Sequence, residues 1–222
     1  MVQREERTPR VLQGALGEMG VVAFLMAVQA EECEGDGVRG HVGRVSDLVG
    51  LLAEKAVQMP AKQRSLLVGG AVLHDVGKSR IPREVLRKPG GLDAFERTLI
   101  QGHCEYGASI LEEYAQRLDR LSLFWGMAAE TAMTHHENWD GSGYPKGLKG
   151  EDIPISGRLV RIADVFDALT SDRSYHKACS EEQALSRMQS EEFAGAFDPA
   201  LFEVFLSIAS ERGSGTYGEA GR

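Results

Sequence analysis

The residues that could do chemistry in this sequence are imidazoles and carboxylates that recur in short, separate segments. Two adjacent histidines, His135 and His136, end an apolar run and are followed by a glycine-rich, acidic turn that closes on Pro145. A third histidine, His74, is directly followed by Asp75. Neutral imidazole and carboxylate together form the ligand set of zinc, iron, manganese and nickel sites. These segments therefore predict a cleft lined by metal ligands.

A single histidine on a helix is more often a surface or core residue than a ligand, and one His-Asp pair is little more informative. The prediction comes from the whole set, because Asp164 lies in an apolar helical segment where an unpaired carboxylate would be costly to bury. One metal cluster would satisfy all of these groups. Its candidate members are His41, His74, Asp75, His103, His135, His136 and Asp164.

The segments that must position these groups have helical periodicity. Apolar residues recur at helical spacing through most of the chain, and no alternating strand pattern of useful length appears. The helix that begins at Asp93 is expected to pass His103 and either to continue or to restart at Gly107. Helix starts are predicted at His41, at Pro60, at the capping pairs Asp93 with Glu96 and Ser180 with Gln183, at Pro154 and at Asp198-Pro199. We therefore predict an all-α fold, a helical bundle whose inward-facing side chains can converge on a metal cluster.

Length, composition and charge limit the classes of function. A chain of 222 residues with 42% hydrophobic residues is typical of one globular domain with a sizeable core. The net charge of −8 argues against binding of a nucleic-acid polymer, although metal ions could still hold a small anionic ligand. The three cysteines are widely separated, which favours a reducing cytoplasm over a disulfide framework. The longest apolar run, residues 21–28, is too short to span a membrane, and the mixed-charge leader before it, with Glu5, Glu6 and Glu18, argues against a signal peptide.

The chain resembles the HD-GYP family, a branch of the HD phosphohydrolase superfamily, over about residues 40 to 208. The motifs that carry the resemblance are His41-x-x-Arg44-Val45, His74-Asp75-x-Gly77-Lys78, His103-x-x-x-Gly107, His135-His136-Glu137-x-x-Asp140-Gly141-x-Gly143-Tyr144-Pro145, and Ile162-Ala163-Asp164-x-x-Asp167-Ala168-Leu169-Thr170-Ser171-Asp172-Arg173. The resemblance implies an HD-type helical bundle with a metal centre, usually of iron or manganese, in its core. It also implies hydrolysis of the bacterial second messenger cyclic di-GMP to linear pGpG and, in some members, on to GMP.

The resemblance places the metal ligands of the family on all seven candidate residues. Asp75 is the predicted bridge between two metals, because each oxygen of a carboxylate can bind one metal whereas an imidazole binds one only. Lys78 is predicted to lie near the reacting phosphate as a point charge, and the alternative is an exposed lysine in a turn. Two metals can activate a hydroxide and stabilise the attacking and leaving oxygens at phosphorus. Asp75 and Lys78 are therefore the predicted catalytic residues.

Further substrate contacts follow from the same resemblance. Gly143, Tyr144 and Pro145 are predicted to shape the lip of the cleft, where glycine lets the backbone approach the ligand. Asp167 and Arg173 match positions that the family uses for guanine and phosphate, and the alternative for both is an ion pair at a helix end. His176 stands where the family commonly has a basic side chain.

Two departures from the family pattern change the predictions. Members with a third metal carry a glutamate four residues before the first histidine, and here that position is Gly37, so two divalent ions are predicted. Members commonly follow a receiver, sensor or membrane domain, and none is expected within residues 1–37. That segment is predicted to be a helical extension, followed by the phosphohydrolase domain at 38–209 and a disordered tail at 210–222. Two roles are expected for the extension. It mediates a homodimer or the binding of a regulatory partner, or else it completes the core of the domain.

Three functions remain open at this point. The first is a metal-dependent phosphodiesterase for cyclic di-GMP, which the complete ligand set favours. The second is a receptor for a cyclic dinucleotide, or a protein-interaction module, without strong catalysis. The third is an HD hydrolase for another nucleotide, cyclic or not, which the Gly-Tyr-Pro segment disfavours.

Overall fold

The computed structural model describes residues 40–118, 122–171 and 177–214, with side chains up to residue 211 in the last range. Within these ranges every regular element is helical, so the predicted all-α class is confirmed. The α-helices are α1 (His41–Lys55), α2 (Ala61–Val72), α3 (Arg83–Leu86), α4 (Ala94–Gln101), α5 (His103–Arg117), α6 (Ser122–Thr134), α7 (Ile155–Thr170), α8 (Glu181–Met188) and α9 (Pro199–Ser214). Short 3₁₀ helices span Val76–Arg80, Gly150–Asp152 and Glu191–Phe193.

Some of the predicted domain organisation lies outside the described residues, and one predicted boundary differs from the structure. The N-terminal extension predicted at 1–37 lies outside the described residues, and so do positions 215–222 of the predicted tail. Helix α9 continues to Ser214, past the domain boundary predicted at residue 210. None of the helices in the described part of the chain has the length and apolarity that a bilayer crossing requires.

Three of the predicted helix starts, at Asp93, Ser180 and Asp198, are confirmed by capping contacts. The Asp93 side chain accepts a hydrogen bond from the Glu96 amide at 2.8 Å, and the Glu96 side chain accepts one from the Asp93 amide at 2.9 Å. A second capping box begins α8 at Ser180. At the start of α9 the Asp198 side chain accepts from the Ala200 amide at 2.9 Å. Local side-chain acceptors therefore define where these helices begin.

The helix expected to pass His103 is interrupted at Gly102, one residue before this histidine. The Gly102 amide donates to the carbonyl oxygens of Thr98 and Leu99, which ends α4, while its own carbonyl accepts from the Tyr106 amide at 3.0 Å. The chain therefore starts α5 at His103 and not at Gly107. This break places His103 in the first turn of a new helix, where its side chain can turn into the bundle.

Two apolar clusters hold the bundle together. The larger one joins α1 and α7 to α8 and α9, and includes Leu52, Leu159 and Phe205, all at most 1% exposed. The smaller one joins the end of α2 to α5 and α6, through residues such as Leu111 and Trp125. Helix α2 packs on both α1 and α6, and α7 also packs on both. The ends of α1, α2, α5 and α6 are held by this packing, which is what a site built at those ends requires.

Gly77 is where the Val76–Arg80 turn meets α5 at closest range. A β-carbon on Gly77 would overlap the carbonyl oxygen of His103 and would lie 2.5 Å from the amide nitrogen of Gly107. Both contacts are backbone atoms of one helix, which cannot move aside like a side chain. The glycine is therefore required by space, and it fixes the His74-Asp75 segment against the start of α5.

We expect the substitution Gly77→Ala to lower the free energy of unfolding by about 3 kcal/mol or more, because overpacking against backbone is relieved only by moving a helix. Gly126 is the matched control, since a β-carbon there, inside α6, meets no atom within 4 Å. Gly126→Ala should stabilise the protein by about 0.5–1 kcal/mol through helix propensity. Urea unfolding followed by circular dichroism measures both changes. Equal stability of the two variants would contradict the close packing at Gly77.

Candidate metal centre

The structure brings the seven candidate ligands together in two groups. The first group contains Asp75, His103, His135 and His136, and the second contains His41, His74 and Asp164. Within each group, one donor atom of each residue lies within 4.8 Å of the others. The groups adjoin, because the rings of His74 and His135 have centroids 5.1 Å apart. Six of the seven residues lie at or next to helix ends, and Asp164 lies inside α7.

The imidazoles of three candidate ligands are held in one orientation by backbone carbonyls. Each uses Nδ1 for this hydrogen bond, and because a carbonyl can only accept, Nδ1 must carry the proton. In the neutral ring, Nε2 then presents a lone pair to the interior of the site, as in metal-ligating histidines. The bonds run from His74 to Ala71 at 2.7 Å, from His103 to Ile100 at 2.6 Å, and from His135 to Ala132 at 2.9 Å.

The interior of the site is short of hydrogen-bond donors, and a cation would correct this. The Nε2 atoms of His103 and His135 are 3.1 Å apart, although neither carries a proton in this tautomer. Two buried atoms, Nε2 of His74 and Oδ1 of Asp75, have no hydrogen-bond partner. Lone pairs that face each other in a buried space repel, whereas a divalent cation between them would bind them all. The residues present therefore fit divalent metal ions.

Asp75 lies between the two groups. Its Oδ2 is 3.2 Å from Nε2 of His74, and its Oδ1 is 3.2 Å from Nε2 of His103. Each oxygen thus faces a different group, which is the arrangement that a bridging carboxylate needs. The Lys78 ammonium contacts Oδ2 at 2.6 Å, so this lysine lies beside the centre and is only partly exposed.

The charges of the site favour an ionised Asp75 and neutral His135 and His136 in the first group. Burial alone would raise the pKa of Asp75, but Lys78 and His74 hold it well below its usual range. Burial lowers the pKa of His135 to about 4, and burial with the neighbouring imidazoles also lowers the pKa of His136. These groups are therefore ready to bind a cation at neutral pH.

His74 differs from the other buried imidazoles. Burial disfavours its charged form, but the Asp75 and Asp164 carboxylates outweigh burial and raise the pKa of His74 to about 9. A divalent cation at Nε2 would compensate the same two carboxylates and would take the place of that proton. Metal binding here is therefore expected to release a proton.

Asp167 orients His41 from behind. Asp167 is 3% exposed, and its Oδ2 accepts a hydrogen bond from Nδ1 of His41 at 2.7 Å and from Nη2 of Arg44 at 3.1 Å. The other nitrogen of His41, Nε2, then faces Oδ1 of Asp164 at 3.6 Å. A carboxylate behind a ligating imidazole is a common feature of metal sites. The contact of Asp167 with Arg44 is an ion pair, which is the alternative to substrate binding given for Asp167 above. A substrate role for Asp167 stays a prediction.

The predicted lip of the cleft is a tight loop folded onto the first group. The Tyr144 amide donates to the carbonyl oxygen of His136 at 3.1 Å, and the Tyr144 ring stacks on the His136 ring with centroids 4.7 Å apart. A β-carbon on Gly143 would lie 2.5 Å from both Cα of Glu137 and the His136 oxygen, so only glycine fits there. The Tyr144-Pro145 peptide bond is cis. The loop thus covers His136 from outside.

Glu137 holds this loop from within the protein. Its side chain is 1% exposed, and its two carboxylate oxygens accept from the amides of Lys146 at 2.8 Å and Leu148 at 3.0 Å. We expect Glu137→Gln to destabilise the protein by about 1–3 kcal/mol, because one amide would face an NH₂ group instead of an acceptor. This corresponds to a loss of about 2–12 °C in Tm. Calorimetry measures it, with Glu151→Gln at an exposed site of the same segment as control; equal Tm values would exclude the tether.

Two of the predicted substrate contacts, Arg173 and His176, lie outside the described residues. Two further polar residues of the site had no role in the sequence analysis. Glu137 belongs to a quoted motif, but nothing in its neighbours indicated that it holds the loop. Arg161 donates from Nε to Oδ1 of Asn138 at 3.1 Å, at the start of the same loop. In the sequence, Arg161 could have been recognised as a charged residue one turn before Asp164 in an apolar helix.

Comparison with known proteins connects this geometry to a family. The family model described as HD domain matches residues 24–201. A 3'3'-cGAMP-specific phosphodiesterase 2 of Vibrio cholerae serotype O1 is 43% identical over 75% of this chain and 30% of its own length. A cyclic di-GMP phosphodiesterase of the same organism is 41% identical over 84% of this chain and 39% of its own length. The chain thus spans about a third of the length of these two relatives.

One further sequence relative and one solved structure are also similar to this chain. The cyclic di-GMP phosphodiesterase response regulator RpfG of Xanthomonas campestris pv. campestris is 36% identical over 93% of this chain and 56% of its own length. Among solved structures, Bd1817, a HDG"Y"P protein from Bdellovibrio bacteriovorus, is similar with a TM-score of 0.60 and 18% identity. That similarity covers 94% of this chain and 75% of the other, and it shows the fold.

Proposed function

The chain belongs to the HD domain family, and we propose that it is a metal-dependent phosphodiesterase that hydrolyses cyclic dinucleotides, cyclic di-GMP first among them. The observation that carries the proposal is the convergence of seven imidazole and carboxylate side chains in two adjoining groups. Relatives named as cyclic di-GMP phosphodiesterases support the substrate class. The reaction adds water across one P–O3' bond of the ring, giving linear pGpG; a second hydrolysis would give GMP.

Two divalent ions, iron or manganese, are the proposed cofactors. His103, His135 and His136 would hold one ion and His41, His74 and Asp164 the other, with Asp75 shared between them. Mixed imidazole and carboxylate donors suit these metals. When bound, the ions would supply Lewis acidity toward the phosphate and activation of water.

The protein's own groups complete the site. Asp75 would hold both ions in register, and Asp167 would keep His41 turned toward its ion. Lys78 would add a positive charge beside the reacting phosphate, because its ammonium lies at the edge of the centre. Gly143, Tyr144 and Pro145 would border the substrate where the loop covers His136. Arg173 and His176 remain proposed substrate contacts on the strength of the family resemblance.

A second substrate is supported by the relatives named 3'3'-cGAMP-specific phosphodiesterases, one of which is 43% identical to this chain. The two dinucleotides differ in one base and share the phosphodiester ring. A metal centre held by these residues would act on that shared ring and would not distinguish the two dinucleotides. The receptor alternative is less well supported, since no candidate ligand is replaced and all seven meet.

The test is direct hydrolysis. The purified chain is incubated with cyclic di-GMP or 3'3'-cGAMP and with Mn²⁺ or anaerobic Fe²⁺, and the linear product is followed by chromatography. We expect turnover that depends on metal and is lost in Asp75→Ala. Binding of either dinucleotide without turnover under both metals would favour the receptor alternative.

A further inference from the structure

Arg161 is a cation of the site that the proposed chemistry does not yet use. It lies on α7 one turn before Asp164, so both side chains project from the same face of the helix. Its Nε donates to Oδ1 of Asn138 at 3.1 Å. Within the ranges that the structure describes, no other hydrogen bond and no ion pair engages its guanidinium. Four of its five N–H donors are therefore available.

Two other arginines near the site, Arg158 and Arg44, are paired with protein carboxylates. One turn earlier on α7, Arg158 contacts Oδ2 of Asp198 at 2.8 Å and lies 5.8 Å from the centre of the Trp139 ring. Arg44 pairs with the buried carboxylate of Asp167. Both arginines thus have structural partners. Arg161 is of the same residue type and on the same helix as Arg158, but it lacks such a partner.

A partly buried guanidinium without a directly paired carboxylate is unfavourable. Burial lowers the pKa of Arg161, while Asp164 and the Tyr144 phenol act in the opposite direction. A fixed positive charge that the fold compensates only in part is stabilised when an anion binds to it. Since guanidinium can donate two parallel hydrogen bonds, its best anionic ligand is a carboxylate or a phosphate.

The surroundings of Arg161 indicate which kind of anion it would bind. Its charge acts on His136, Tyr144 and Asp164, so it lies near both the lip of the cleft and the candidate ligands. Its Nε bond to Asn138 fixes it at the base of the loop that carries Tyr144. An anion bound by the guanidinium at this position would also contact the metal centre. That anion is the phosphate of a phosphodiester.

We propose that Arg161 binds the reacting phosphate of the substrate through its free guanidinium N–H groups, as a second positive contact alongside Lys78. The inference rests on the proposed phosphodiesterase function for the identity of the substrate. The contact itself joins a guanidinium to a phosphate group beside the metals. It can be tested on metal-loaded protein with inorganic phosphate as the ligand, without any dinucleotide.

The experiment compares Arg161→Gln with Arg158→Gln, two identical changes one helical turn apart. In each manganese-loaded variant of the chain, calorimetry measures inorganic phosphate binding, elemental analysis measures metal content, and thermal unfolding without phosphate measures Tm. We expect Arg161→Gln to weaken phosphate binding about tenfold or more, which is the loss of one charged hydrogen bond. Its metal content should stay unchanged and its Tm should not fall. Arg158→Gln should lower Tm and leave phosphate affinity unchanged.

The outcomes separate the two proposals. Unchanged phosphate affinity in Arg161→Gln overturns the inference, and so does a loss of metal or of Tm that matches Arg158→Gln. Failure of the wild-type protein to bind phosphate overturns it as well. If phosphate binding depends on Arg161 but neither dinucleotide is hydrolysed, the anion contact stands and the proposed function fails. If kcat/KM for cyclic di-GMP also falls about tenfold in Arg161→Gln, both are supported.

Discussion

Turnover of cyclic di-GMP by Asp75→Asn is expected to be reduced by about 10³-fold or more, which corresponds to roughly 4 kcal/mol of transition-state stabilisation. Asp75 is the residue whose two oxygens face both groups of candidate ligands, at 3.2 Å from His74 and 3.2 Å from His103. Asparagine has nearly the same shape but supplies only one neutral oxygen. It cannot bridge two cations, and it removes the negative charge that compensates them.

Metal content and turnover should be measured on the same Asp75→Asn sample, because the proposed cause is the loss of one or both ions. Asp93→Asn is the matched control, since Asp93 is an exposed helix cap and asparagine caps a helix equally well. This control should retain full activity and metal. Wild-type turnover in Asp75→Asn with two bound ions would show that the bridge is not needed.

The sequence predicted the helices well because their signals are local. The capping boxes at Asp93 and Ser180 involve residues three positions apart, so each can be recognised without knowing the fold. The break before His103 was placed wrongly, because it depends on Gly102 closing α4 rather than on a change in hydrophobic pattern. Such breaks are stabilised by the tertiary contacts of the following helix, as at Gly77 against His103.

The seven candidate ligands could be named from motif spacing, but their geometry could not. Which nitrogen of each imidazole faces inward is decided by carbonyls such as that of Ile100, which carry no side-chain signal. The role of Asp167 behind His41 joins residues 126 positions apart. Arg161 could be noticed as a charged residue in an apolar helix, but its position near His136 and Tyr144 could not be predicted. Contacts of this kind arise from how α1 and α7 pack, and the sequence does not display that packing.

Removal of metal is expected to lower the Tm of the wild-type protein by about 8–16 °C. A ligand that binds only the native state stabilises it by about 4 kcal/mol when present at 1,000 times its Kd. For a chain of this size, each kcal/mol changes Tm by about 2–4 °C. The effect has a structural cause, since without a cation the facing Nε2 atoms of His103 and His135 and the unpartnered oxygen of Asp75 stay buried and uncompensated.

Thermal unfolding after dialysis against a chelator, followed by titration with Mn²⁺, measures this stabilisation. Mn²⁺ should restore Tm, whereas Ca²⁺ should not, because Ca²⁺ prefers oxygen ligands and most donors here are imidazoles. In Asp75→Asn the response to Mn²⁺ should be largely lost, while Gly126→Ala, remote from any close contact, should respond like the wild type. A Tm unaffected by chelation in a protein shown to have lost its metal would mean that the two groups are stable without ions, so their convergence would reflect packing and not metal binding.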